Sequence, residues 1–218
     1  MAEPIRARWV FDIVSPFAYL AFGELKRLPP DVEIEYVPVL LAALLEKNGQ
    51  LGPAEIPVKR RFTYRFVHWR ARRLGVPMRF PPAHPFSPLA GLRLIIAAGS
   101  TAHAVGTVLD AAFRDGRDLA DPATIAELAA TLGVRDPQAT LADPKIKERL
   151  RENTSWAEKC GVFGVPTLMI GDELFWGHDA LDMALDYLSD RAWFESAALR
   201  SVETLPVGVV RGSAQRPK

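Results

Sequence analysis

The sequence predicts an α/β fold in which a four-stranded mixed sheet is built from the two ends of the chain and interrupted by a large all-helical insertion. Three observations predict it. Residues 6–40 read as strand, helix, strand. From about Leu40 to Gly161 every amphipathic stretch has helical spacing and none alternates. After Gly161 the chain returns to two short apolar runs and a final amphipathic helix.

The first strand is RARWVFDIV, rich in β-branched and aromatic residues, and Ser15-Pro16 ends it. Phe17, Leu20, Ala21, Leu25 and Leu28 then recur at helical spacing until Pro29-Pro30 stops the helix. VEIEYVPVL alternates, with Val32, Ile34 and Tyr36 opposite Glu33 and Glu35. A helix joining two such strands predicts a βαβ unit with a parallel pair.

The insertion is punctuated regularly. Ser87-Pro88, Asp121-Pro122, Asp136-Pro137 and Asp143-Pro144 each set a capping side chain before a proline suited to a first helical turn. Gly75, Gly99, Gly116, Gly133 and Gly161 stand where helices end. This pattern predicts about five to seven helices. VPTLMI and ELFWG then read as a hairpin about Gly171-Asp172. Asp179 opens a helix whose face carries Leu181, Ala184, Leu185 and Leu188. The expected domains are a discontinuous one from residues 1–40 and 161–200, an insertion over 41–160, and a tail over 201–218 whose end frays. The order βαβ, helices, ββα is that of a thioredoxin-like fold with a helical insert.

Composition narrows the function classes. The chain has 218 residues, 49% of them hydrophobic and 24% charged, with a formal charge of +1. That balance supplies no global field for nucleic acid or an anionic membrane. One cysteine, Cys160, excludes an intramolecular disulfide and reads as a small core residue. His68, His103 and His178 have no ligand spacing, so no metal site is expected. No apolar run approaches the roughly 20 residues of a membrane span, and a cytoplasmic protein is expected.

The residues able to carry chemistry lie at element ends. Ser15 is at least a helix N-cap, and a helix N-terminus also attracts anions through its unpaired amides. In a thioredoxin fold that position holds a redox CxxC pair. Here it reads Ser15, Pro16, Phe17, Ala18, so disulfide exchange there is excluded. Val165-Pro166 precedes the penultimate strand, where this fold places a cis-proline, and would present the Val165 backbone to a peptide-like ligand. Asp179 reads either as an N-cap or as a carboxylate for the ammonium of an amino-acid ligand. Seven Lys/Arg and no acid lie between Lys59 and Arg73. Phe62, Phe66, Trp69 and Arg73 fall at i, i+4, i+7 and i+11, which predicts an apolar stripe directed into the core with the arginines outward, leaving Lys59 foremost to line a cleft for anions. His84, in a Pro-rich loop, is either a surface residue or one lying over that cleft.

Three segments, SPFAYLA, GPAEIPVKRRFTYRFVHWRARRLGVPMRFPPAHPFSPLAGLRL and GVFGVPTLMIGDELFWGHDAL, resemble the 2-hydroxychromene-2-carboxylate isomerase family. The resemblance extends to about residue 190, and the family is grouped with DsbA-like thioredoxin folds and kappa-class glutathione transferases. It implies a glutathione-dependent isomerase that interconverts 2-hydroxychromene-2-carboxylate and trans-o-hydroxybenzylidenepyruvate. By the same resemblance Ser15 lies beside the glutathione sulfur, and Lys59, Val165, Pro166, His178 and Asp179 contact glutathione. Gln50, Lys59 and His84 contact the small aromatic substrate, and a homodimer is expected. Gly49-Gln50 departs from the family's Gly-Asn pair, Gln50 being longer by a methylene. A kappa-type transferase or peroxidase and a non-catalytic peptide-binding module are the competing readings.

Overall fold

The computed structural model describes residues 3–209. Strand β1 (Ile5–Phe11) lies at the centre of one sheet of order β2-β1-β3-β4. It pairs parallel with β2 (Val32–Pro38), Ile5 opposite Val32 and Phe11 opposite Pro38. On its other side β3 (Thr167–Ile170) runs antiparallel, Val10 opposite Thr167, and β4 (Glu173–Trp176) completes the hairpin. Helix α1 (Pro16–Glu24) and a 3-10 turn, Leu25–Arg27, connect β1 to β2, as the spacing predicts.

Between β2 and β3 the chain is helical: α2 (Leu41–Lys47), α3 (Pro57–Leu74), α4 (Leu89–Ala97), α5 (Ala102–Phe113), α6 (Pro122–Thr131), α7 (Pro137–Ala142) and α8 (Pro144–Lys159). Asp121, Asp136 and Asp143 cap their helices through side-chain oxygens, and all five glycines expected at helix ends take positive φ. Ser87 does not cap. Helix α4 starts one residue later than expected, and Pro88 occupies its N-cap with no side-chain bond. After β4 come α9 (Leu181–Ser189) and two short helices, α10 (Arg191–Phe194) and α11 (Ala197–Glu203). Neither short helix follows from the sequence pattern, and α11 extends into the expected tail. The expected fraying of the final residues lies outside the described residues. No described helix is long and apolar enough to cross a membrane.

The period-2 side-chain alternation of β1 divides the core. Ala7, Trp9 and Phe11 join the larger cluster, in which Trp9 stacks on Phe11 at 4.6 Å and α1, α4 and α5 cover them. Val10 faces the other way, into a smaller cluster with Val37, Leu44, Ala157 and Met169 beneath α8. Ile13, just past β1, is wholly buried against α4 at Gly91, where an added Cβ would lie 2.4 Å from Ile13 Cδ1 and 3.2 Å from Val108 Cγ1. Close approach of α4 therefore supports the loop that leads from the central strand into α1. Gly91→Ala is expected to lower unfolding stability by about 1–3 kcal/mol through overpacking, measured by urea denaturation. An unchanged midpoint would show that Ile13 yields without cost.

Candidate active site

Residues from four segments converge at one end of the sheet. The carboxyl end of β1 and the amino end of β3 are neighbours, so the loop carrying Ser15 lies beside Val165 and Pro166. The Gly177 amide donates to the Pro166 carbonyl at 2.9 Å, bringing the residues after β4 to the same place. His178 stacks on Phe17 at 5.0 Å, and Phe66 of α3 meets both rings, at 6.2 Å from Phe17 and 6.0 Å from His178. Ser15, Phe17, Val165, His178 and α3 thus border one site.

Ser15 is the N-cap of α1. Its hydroxyl oxygen accepts from the Ala18 amide at 3.4 Å, and only 6% of the residue is exposed. Its own O–H proton has no acceptor among the described residues. Pro16 brings no amide hydrogen to the first turn, and the Phe17 amide is without an acceptor among the described residues. Helix and hydroxyl therefore leave two donors without acceptors in the same turn among the described residues. The Val165–Pro166 bond is cis, and among the described residues the Val165 amide and carbonyl form no hydrogen bond. A strand-like backbone is offered there for pairing.

The turn is held by a residue that the sequence reading passed over. Asp12 is wholly buried. One carboxylate oxygen accepts from the Val14 amide at 3.0 Å, the other from the Leu41 amide at the start of α2 at 2.8 Å, and its main-chain carbonyl accepts from the Ser15 amide. Burial pushes its pKa up to about 7 against the pull of the two amides. The available signal was an acid between Phe11 and Ile13, inside an otherwise apolar run.

His84 braces the same turn from the other side. Its Nε2 donates to the Val14 carbonyl at 2.7 Å, and the Tyr64 hydroxyl lies 2.8 Å from Nδ1 and donates to the His84 carbonyl at 2.9 Å. Arg60 donates to the His84 carbonyl at 2.5 Å. Burial lowers the His84 pKa, which favours the neutral ring. Both ring nitrogens are engaged within the protein, and the ring supports the turn that carries Ser15.

Asp179 also differs from one expectation. It does not cap α9, whose N-cap is Ala180 with no side-chain bond. The Asp179 side chain is 77% exposed, with Oδ1 3.8 Å from His178 Nδ1. Gly177 makes this possible: it takes φ +106, and a Cβ there would lie 2.6 Å from Asp179 Oδ1. Burial lowers the pKa of His178, Asp179 opposes that, and the charge of Arg70 reinforces it. Lys59, in the first turn of α3, and Gln50, in the loop after α2, are both exposed. Neither touches the cluster around Ser15 through a hydrogen bond or ion pair among the described residues.

The aromatic stripe of α3 is not directed into the core. Phe62 is 68% and Trp69 53% exposed, while Val67 and Ala71 are the residues buried. Small side chains let α3 seat closely on the larger core cluster, and the bulky aromatics are displaced to the rim, with Phe66 at the contact with Phe17 and His178.

A family profile described as a DSBA-like thioredoxin domain matches residues 8–189. The chain is similar to the 2-hydroxychromene-2-carboxylate isomerase of Pseudomonas putida, at 34% identity over 185 residues that cover 79% of this chain and 89% of that one. It is also similar to glutathione s-transferase kappa 2 of Caenorhabditis elegans, 24% identical over 207 residues, covering 84% and 91%. A solved structure of selenomethionine 2-hydroxychromene-2-carboxylate isomerase matches with a TM-score of 0.76 at 28% identity, covering 88% of this chain and 100% of that one.

The Asp12 clamp has a pH signature. A carboxyl raised from 3.8 to about 7 keeps its proton in the folded state where the unfolded chain has lost it. Its contribution to stability is therefore full below about pH 4 and declines as pH rises to about 7, by at most roughly 1.4 kcal/mol per unit. Asp12→Asn should abolish that decline in urea unfolding measured between about pH 5 and about pH 7. Equal slopes for the two proteins would remove Asp12 from this role.

Proposed function

The chain belongs to the 2-hydroxychromene-2-carboxylate isomerase family of DsbA-like thioredoxin domains, and from that premise we propose that it is a glutathione-dependent isomerase of a conjugated 2-oxo acid. Relatives named as isomerases support an enzyme of that kind. Kappa-class glutathione transferases among the relatives support glutathione as the cofactor. The substrate pair we propose is 2-hydroxychromene-2-carboxylate and trans-o-hydroxybenzylidenepyruvate, or a close analogue.

One observation carries the reading: Ser15 caps α1 yet keeps its hydroxyl proton unspent, beside the unpaired backbone of Val165. The residues present fit a small thiol tripeptide. Val165 would pair with its backbone on the strand side, next to Pro166 and His178, and Asp179 would take its ammonium. Lys59 and Gln50, both exposed, would meet the substrate's polar groups. Bound glutathione would supply a thiolate able to add reversibly to a conjugated enone, so that a double bond becomes a rotatable single bond. The Ser15 hydroxyl and the Phe17 amide donate to an anion at the α1 terminus, and the positive end of that helix favours it further. Phe17, Phe66 and His178 wall the site with rings and exclude water from one side. His84 and Asp12 hold the turn so that both donors keep their direction. In this proposal residues 41–160 form one insertion, which brings Gln50, Lys59 and His84 over a domain made of residues 1–40 and 161–200.

The reading is tested by following chromene isomerisation with and without glutathione across neutral pH. Ser15→Ala should cost only about 0.5–2 kcal/mol of stability as a lost cap. It should lower turnover at neutral pH by about tenfold or more, since one to two pKa units of sulfur stabilisation are removed. Turnover independent of glutathione, or a Ser15→Ala variant as active as the parent, would refute it. A kappa-type transferase is the second reading, favoured by the kappa relatives; conjugation of chloronitrobenzene without chromene isomerisation would select it.

A further inference from the structure

Helix α3 carries one cation, Arg70, that is partly withdrawn from solvent. Val67, Ala71 and the half-buried Tyr64 and Leu74 mark its core-facing stripe, and Arg70 falls on the flank of that stripe. Its Nε is buried and has no partner, and no hydrogen bond or ion pair to its guanidinium forms among the described residues. Arg61, Arg65, Arg72 and Arg73 on the same helix are exposed to water. Arg60 is bonded to the His84 carbonyl, Arg8 to Glu35 and Arg27 to Asp182, and Arg93, whose Nε is likewise buried without a partner, still donates through its terminal nitrogen to the Leu141 carbonyl. A partly desolvated guanidinium without an acceptor is costly, and an anion removes the cost.

Arg70 follows Phe66 by one turn of α3, and Phe66 meets His178 at 6.0 Å, the ring that stacks on Phe17 beside the Ser15 turn and has Asp179 next to it. Along α3, Lys59, Phe66 and Arg70 fall at i, i+7 and i+11, nearly one line. At 1.5 Å per residue Arg70 is about 6 Å beyond the Phe66 contact on one side and Lys59 about 10 Å beyond it on the other. The ring contact at the centre is thus flanked by two cations with no acid anywhere on the helix.

We propose that Arg70 is the anchor of a carboxylate-binding subsite at the junction of α3 with the His178–Asp179 turn. The inference rests on the function proposed above, because both its cofactor and its substrate carry carboxylates. With Asp179 for an ammonium and Arg70 for a carboxylate on either side of His178, the subsite has the charges of an α-amino-acid head, as at the γ-glutamyl end of glutathione. A planar guanidinium would grip a 2-oxo acid carboxylate by the same bidentate geometry.

The test measures binding, by calorimetry, to the wild-type protein, Arg70→Met and Arg70→Lys. The probes are glutathione, its 4-aminobutanoyl analogue lacking the γ-glutamyl carboxylate, its glycine ethyl ester, and benzylidenepyruvate. Arg70→Met should weaken one carboxylate ligand by about tenfold or more, Arg70→Lys by less. Loss confined to glutathione, and absent for one of its two analogues, assigns the tripeptide carboxylate; loss confined to benzylidenepyruvate assigns the substrate. The ligand-free Arg70→Met protein should melt no lower than wild type, which a structural arginine would not allow. If wild type binds glutathione and both variants bind every probe equally well, the subsite is refuted while the proposed function stands. If wild type ignores glutathione but binds benzylidenepyruvate through Arg70, the glutathione reading falls and the subsite remains. If wild type binds neither ligand, both are refuted.

Discussion

The Asp12 carboxylate is the contact on which the site depends. It is a wholly buried acid that joins two amides, one in the turn after β1 and one at the start of α2. Without those bonds two chain directions would have to be fixed by apolar packing alone, and packing does not orient a hydroxyl. With them, the end of the central strand, the entry to α1 and the entry to the insertion share one side chain. Thr154 and Asn153 of α8 add to this at the neighbouring residues, the Leu40 amide donating to Thr154 and Asn153 donating to the Pro38 carbonyl. The functional turn is therefore tied to the long helix on the far face of the sheet.

Around that fixed point the two faces of the turn are used differently. Inward, Ile13 fills the space that Gly91 leaves open, and His84 reaches the Val14 carbonyl through a ring oriented by Tyr64. Outward, Ser15 and Phe17 present an O–H and an N–H with nothing in the described chain to receive them. A helix start thus does two jobs at once: the serine oxygen satisfies the Ala18 amide, while its proton remains available for an anion. The strongly basic α3 forms the facing wall, so the electrostatic character of the site comes from one helix rather than from the near-neutral whole chain.

Local chemistry made much of this legible in the sequence. Ser15 as a cap, the three Asp-Pro helix starts, the glycine helix ends and the proline before β3 all follow from interactions within a few residues. The misreadings came where distant packing decides. Asp179 and Ser87 look like caps, yet α9 and α4 each begin one or two residues later, with Ala180 and Pro88 at the cap. Phe62 and Trp69 have the spacing of a buried stripe, but the shorter Val67 and Ala71 allow the closer approach and take the core side. His84 gains both ring partners across 20 and 70 residues of sequence, which no local pattern encodes. Asp12 is visible as a charge among apolar neighbours and Arg70 as one of seven cations on a basic stretch; what they bind, and fail to bind, is a tertiary fact.

In the proposed function the start of α1 holds a sulfur anion. This is tested most directly by titrating glutathione in complex with the protein from acid to alkaline pH and following thiolate absorbance in the ultraviolet. The prediction is that the bound thiol ionises about one to two pH units below the free tripeptide, and that replacing Ser15 by alanine moves it back most of that way. A bound thiol that titrates as it does in free solution, with serine in place, would contradict the account.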